Sequence, residues 1–101
     1  MMSKTTNEIV EEIINYIITC SGKKFSNYYA GITKNPKDRL FNDHNVDEGT
    51  GCWIFRKAIN ITHARDAEKI LLDKGMKGGD GGGDDSSVYV YCYMITNQTK
   101  Q

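Results

Sequence analysis

Among the charged side chains of this chain, Glu68 has the most unusual setting. It falls four residues after Ala64 and four before Leu72, at the edge of an apolar helical stripe rather than opposite it. A carboxylate there must be paired, coordinated to a cation, or reach out to water. Arg65 and Lys69 are the local rivals to a metal. Arg39 stands four residues before Asp43, the spacing of a helical surface ion pair worth about 0.3–0.5 kcal/mol. His44 follows near the expected end of that helix, where an imidazole interacts well with the helix dipole. Tyr28 and Tyr29 lie just ahead of Ala30-Gly31 on an expected strand. A tyrosine so placed is ordinarily a half-buried packing residue with a satisfied hydroxyl.

Other groupings carry less. The run Gly75 to Asp85 is rich in glycine, but it follows a helix, precedes a strand and carries aspartates that repel phosphate. A phosphate cradle has the opposite order and ends in Gly-Lys-Ser/Thr. The run therefore reads as a flexible connector, with Ca²⁺ binding by Asp80, Asp84 and Asp85 as the metal alternative. Tyr89, Tyr91 and Tyr93 alternate along one strand face. They are either a base-stacking platform or sheet packing against the first helix. Cys20, Cys52 and Cys92 are widely spaced, and His44 and His63 complete no zinc-ligand pattern with them. They read as buried free thiols in a reducing compartment.

The elements that must position these groups follow from periodicity. Ile9, Val10, Ile13, Ile14, Ile17 and Ile18 recur at helical spacing, with Glu8, Glu11, Glu12 and Asn15 on the polar side, predicting an amphipathic helix over 7–19. The β-branched tail from Tyr16 to Cys20 leaves a strand as the alternative there. Ser21-Gly22-Lys23-Lys24 is a turn, and Phe25 to Thr33 a strand. Asn35-Pro36 starts a second helix, since Asn caps well and Pro fits the first helical position. This helix is expected to run to about His44. Trp53 to Ile59 is a second strand, and a third helix runs from Thr62 to Gly75. Val88 to Ile95 alternates most clearly of all, with Val88, Val90, Cys92 and Met94 on one face.

The chain of 101 residues fits one domain, 1–101, with a two-layer core. Thirteen basic and thirteen acidic side chains cancel, so the overall charge does not attract a polyanion, and nucleic-acid binding must rest on local patches. The acidic residues near the start interrupt any signal-like run, and no stretch approaches the ~20 apolar residues of a membrane span. The expectation is a cytoplasmic protein with no membrane association.

The ordered set Tyr29, Gly31, Arg39, His44 and Glu68 resembles the GIY-YIG nuclease superfamily. There a Tyr-x-Gly strand leads into a helix with an Arg and a His, and a later helix supplies a metal-binding Glu. The resemblance spans roughly residues 28–72. It implies an α/β (α+β) fold: a small, mostly antiparallel three-stranded sheet flanked by about three helices. It implies roles as well. Tyr29 would be or assist the general base. Gly31 would let the backbone approach the scissile phosphate, with Tyr28 and Lys34 beside it as substrate contacts. Arg39 would stabilise charge on phosphoryl oxygens, His44 would join the catalytic set, and Glu68 would hold Mg²⁺. The partner implied is nucleic acid.

This sequence departs from the family pattern in two ways. The opening Gly-Ile-Tyr is absent, and Ile14-Asn15-Tyr16 is its nearest equivalent, which would make Tyr16 the first-motif tyrosine. Arg39 and His44 are five residues apart, about 140° round an unbroken α-helix at about 100° per residue. Either that helix ends before His44, or His44 has another role. Three functions follow: a Mg²⁺-dependent nucleic-acid phosphodiesterase, a catalytically degenerate relative that binds nucleic acid or protein, or, from the glycine–aspartate loop, a small-ligand or metal-sensing domain.

Overall fold

A computed structural model describes residues 3–21, 24–79 and 86–101. The middle of the expected 21–24 turn and the three aspartates of the calcium reading lie outside the described residues. Helix α1 (Thr6–Ser21) is followed by a 3-10 turn, Phe25–Asn27, and strand β1 (Tyr28–Thr33). Helix α2 (Pro36–Asp38) runs directly into a π turn, Arg39–Asp43. Strand β2 (Trp53–Lys57), helix α3 (Ile61–Asp73) and strand β3 (Tyr89–Met94) complete the order. This is the mixed α+β architecture expected, with helix rather than strand at Tyr16–Cys20.

The start signals work as local chemistry predicts. Asn35 caps α2 by accepting from the Asp38 N–H at 3.3 Å, and Pro36 follows it where no donor is needed. Asn60 caps α3 by accepting from the His63 N–H at 3.0 Å, one residue earlier than Thr62 would place the boundary. Gly75 closes α3 at φ 113°, a left-handed conformation that favours glycine.

The sheet is antiparallel throughout, in the order β1-β3-β2. The strand latest in sequence is therefore central. Its alternation splits the core in two. Val90 and Cys92 pack with Tyr28, Ala30, Ile32 and Ile54 against Ile9, Ile13 and Ile17 of α1 and Ala64, Ala67 and Leu71 of α3. Tyr91 and Tyr93 pack on the other face with Tyr29, Leu40 and Val46. The expectation that the tyrosine stripe packs against the first helix is thus corrected: α1 takes the opposite face, because its isoleucines meet the aliphatic side of β3.

Polar ties fix the helical layer. Arg56 donates to Glu12 at 2.7 Å, and Lys4 pairs with the same carboxylate at 3.0 Å. His63 Nδ1 accepts from the Thr6 N–H at 3.0 Å, joining α3 to the first turn of α1. The free-thiol reading holds for Cys92, whose thiol burial pushes upward in pKa. It fails for the other two cysteines: Cys20, on the last turn of α1, is bonded to Cys52 just before β2, with Cα atoms 6.3 Å apart.

Candidate active site

Strand register assembles the site. Tyr29 lies opposite Tyr93, and Gly31 opposite Tyr91, so these four residues form two adjacent rows on one sheet face. A Cβ on Gly31 would stand 2.6 Å from the Tyr91 hydroxyl and 2.7 Å from its Cζ. The absent side chain at 31 is the space that the Tyr91 ring occupies. The Tyr29 ring stacks 5.2 Å from Tyr93 and 6.3 Å from Tyr91, and His44 closes the group at 4.7 Å from Tyr29.

The π turn brings His44 there. The His44 N–H donates to the Arg39 carbonyl at 2.9 Å, the i to i+5 bond of a π turn. Wider winding brings residues five apart toward the same side, so the 140° separation of an ordinary helix does not arise. Arg39 and His44 both address Tyr91. The Tyr91 hydroxyl beside it is the chief cause of a raised pKa for the half-exposed Arg39 guanidinium, ahead of Asp43, its ion-pair partner at 3.3 Å.

The tail after β3 fixes the state of His44. Its Nδ1 lies 2.6 Å from the Lys100 carbonyl oxygen. A carbonyl only accepts, so Nδ1 must carry a proton. Burial lowers the His44 pKa, outweighing the Lys100 carbonyl, which raises it, so the ring is neutral near pH 7 and Nε2 is bare. The Tyr91 hydroxyl, 2.8 Å away, therefore donates to Nε2. Burial pushes Tyr91 up to about 12, against the pull of Arg39, which keeps that donor proton in place. The Tyr93 hydroxyl, 2.9 Å from Nδ1, donates to the same Lys100 carbonyl at 3.2 Å. The Lys100 N–H donates to the His44 carbonyl at 2.8 Å, and the side chain of Asn45, at φ 57°, donates to the Gln98 carbonyl at 3.0 Å.

Glu68 lies half-buried on α3, and burial raises its pKa against the opposing charge of Arg65. Its charge also reaches Tyr91, adding to that hydroxyl's upward shift. Among the described residues no group of three or more His, Cys, Asp or Glu gathers to form a metal cage. Glu68 alone suits Mg²⁺, which keeps most of its waters and takes one or two carboxylates plus substrate phosphate.

The structure thus brings together Tyr29, Gly31, Arg39 and His44, with Glu68 in electrostatic range. It does not bring Tyr16 or Tyr28 to them. Tyr16 packs with the helical core, and its hydroxyl accepts from the Trp53 N–H at 2.9 Å. Tyr28 faces that same core, wholly buried, because neighbours on a strand point to opposite faces. Lys34 is exposed on the loop after β1. Tyr91 and Tyr93 escaped the site reading, although their alternation was visible, because strand pairing is what turns them toward Tyr29.

This small α+β fold gathers tyrosine, arginine and histidine at one sheet face, while the Glu68 carboxylate, on the helix behind the other face, reaches Tyr91 by its charge. The profile of the GIY-YIG catalytic domain matches residues 13–73, well over half of the chain, and the chain belongs to that family. The family implies nuclease-type activity and interaction with nucleic acid, and its nucleases generally use divalent metals. Comparison with curated proteins and with solved structures returns no match. The matched region stops short of β3, so Tyr91 and Tyr93 enter the site on geometry alone.

Proposed function

We propose that residues 1–101 act as one cytoplasmic GIY-YIG domain, a Mg²⁺-dependent phosphodiesterase that cleaves nucleic acid. The observation that carries this reading is the Tyr91 hydroxyl held 2.8 Å from the bare Nε2 of His44, with Arg39 beside it. As His44 accepts the Tyr91 proton, the tyrosine oxygen gains the basicity to take one from an attacking water. Arg39 stabilises the negative charge that develops there and on the phosphate. Tyr29 packs against the rings of His44, Tyr91 and Tyr93 and holds their spacing. Mg²⁺ held by Glu68 would supply charge stabilisation at the phosphoryl oxygens.

The test is incubation of the purified protein with labelled DNA and RNA in Mg²⁺ or Mn²⁺. Cleavage is expected. Glu68→Ala should abolish it with the circular dichroism spectrum unchanged, and Tyr91→Phe should slow it at least ~100-fold. Full cleavage by Glu68→Ala would reject the metal role. The balanced net charge favours a second reading, a non-catalytic binding module, for which binding without turnover in any metal is the signature.

A further inference from the structure

The sheet face that carries the site continues past it. Register places Trp53 beside Tyr93, Phe55 beside Tyr91 and Lys57 beside Tyr89. Phe41, Trp53, Phe55 and Tyr89 form an unbroken ladder of ring contacts, with centroids 5.0, 6.2 and 6.0 Å apart in turn. Each ring is only half-buried. At the far end, Phe55 and Tyr89 line a groove of about 280 Å³ together with Lys34, Asn35, Pro36 and Lys37. Among the described residues its lining holds two lysines and no carboxylate. Among the described residues neither lysine forms an ion pair. The volume lies just below the ~300–1,000 Å³ of pockets that enclose drug-sized ligands, so it suits one ring system.

We propose that this groove binds an unpaired nucleotide of the substrate strand. Its base stacks on the face of Phe55 with the Tyr89 ring at a steep angle beside it, and its phosphates sit on Lys34 and Lys37. An aromatic face is a sequence-tolerant stacking surface, and the lysines supply the local positive charge that the balanced chain lacks overall. Tyr89 is two residues from Tyr91 on the same strand face, about 7 Å along β3. The bound base therefore neighbours the cleavage centre. A base inside a duplex has both faces covered by its neighbours, so the groove selects strands that are already unstacked. This inference rests on the reading of nucleic acid as substrate, but not on turnover.

The test is fluorescence anisotropy with a labelled oligo-dT strand in EDTA, which removes catalysis from the measurement. The wild-type protein should bind it at least ~10-fold tighter than a blunt duplex of equal length. Phe55→Leu keeps apolar packing without a π face and should weaken binding about 5- to 150-fold with an unchanged melting temperature. Phe55→Tyr should restore it. Lys34→Ala with Lys37→Ala should lower the slope of log affinity against log salt by about 1.4. Equal affinity for strand and duplex, or wild-type binding by Phe55→Leu, overturns the proposal even where cleavage is intact. Strand binding that survives without any cleavage leaves it standing and removes the enzyme reading instead.

Discussion

Replacing Gly31 with alanine perturbs the site without touching a polar group. The new methyl carbon would stand 2.6, 2.7 and 2.9 Å from the hydroxyl, Cζ and Cε1 of Tyr91. Ordinary contact distances begin near 3.5 Å, so the ring must move by about 1 Å. It has little room to do so. Tyr91 is 1% exposed, its hydroxyl is held 2.8 Å from His44, and Tyr29 stacks against it. A 1 Å displacement takes the hydroxyl out of hydrogen-bond range of Nε2. Overpacking costs about 1–3 kcal/mol and the lost bond about 1 more, together about 2–4 kcal/mol. For a chain of this size that lowers the melting temperature by about 10–20 °C. Misplacing a reacting group by 1 Å costs about 100-fold in rate. Calorimetry and single-turnover cleavage of a labelled strand read the two effects separately. Adding Tyr91→Phe separates them further: the clash with Cζ and Cε1 persists, so stability stays low, while Gly31→Ala costs no further rate once the hydroxyl is gone. A Gly31→Ala protein that melts and cleaves like wild type would refute the reasoning, as would fully additive rate losses.

Glu68→Gln should raise the melting temperature in EDTA at pH 7.5, and Mg²⁺ should then raise that of the wild-type protein but not of the variant. Burial raises the folded-state pKa of Glu68, so its ionised form costs stability at every pH above that value, and a neutral amide relieves the cost. Destabilisation by Gln in EDTA would contradict this. For His44 the sign is opposite. Its folded-state pKa lies below the ordinary 6.5, so the unfolded chain binds the proton first. Its contribution to stability is intact above pH 6.5 and is lost as pH falls below it, by up to about 1.4 kcal/mol per pH unit. Cleavage should fall with the same protonation, and an NMR titration of the His44 ring with a midpoint at or above 6.5 would exclude the assigned state. Cys20→Ser, or a reductant, should cost about 3–4 kcal/mol, because the bond closes a loop across a sequence separation of 32. Identical melts with and without reductant would show that the bond carries no such weight.

What was legible in the sequence was what neighbouring residues decide. The isoleucines of α1, the Asn35-Pro36 start and the alternation of β3 rest on periods of 3.6 and 2 and on capping, and each element formed where those signals lie. Contacts between distant segments were not legible. The order β1-β3-β2 depends on which hydrophobic faces meet, and no local pattern placed β3 beside β1. The opening tyrosine was therefore sought upstream, at Tyr16, whereas the tyrosine that stands over Gly31 comes from β3. The Cys20–Cys52 bond was hidden for the same reason. A separation of 32 residues is silent until the end of α1 comes down beside β2 with Cα atoms 6.3 Å apart.

The π turn has a different origin. Residues 36–43 hold nothing that forbids an ordinary helix beyond its capped start. On such a helix Arg39 and His44 would diverge by about 140°. What rewards the wider turn lies elsewhere: the Tyr91 hydroxyl on one nitrogen of His44, and the Lys100 carbonyl with Tyr93 on the other. The tail that supplies this carbonyl, like β3, lies outside the region that matches the family. The matched segment therefore carries the histidine, while the unmatched one fixes its tautomer and delivers its proton donor. The cluster holds a buried neutral histidine, a tyrosine kept protonated and a carboxylate raised by burial. All three bear on the Tyr91 hydroxyl, two by hydrogen bond or burial and Glu68 by charge. The proposed proton transfer predicts that Tyr91→Phe costs rate, where a packed polar core predicts only a cost in stability.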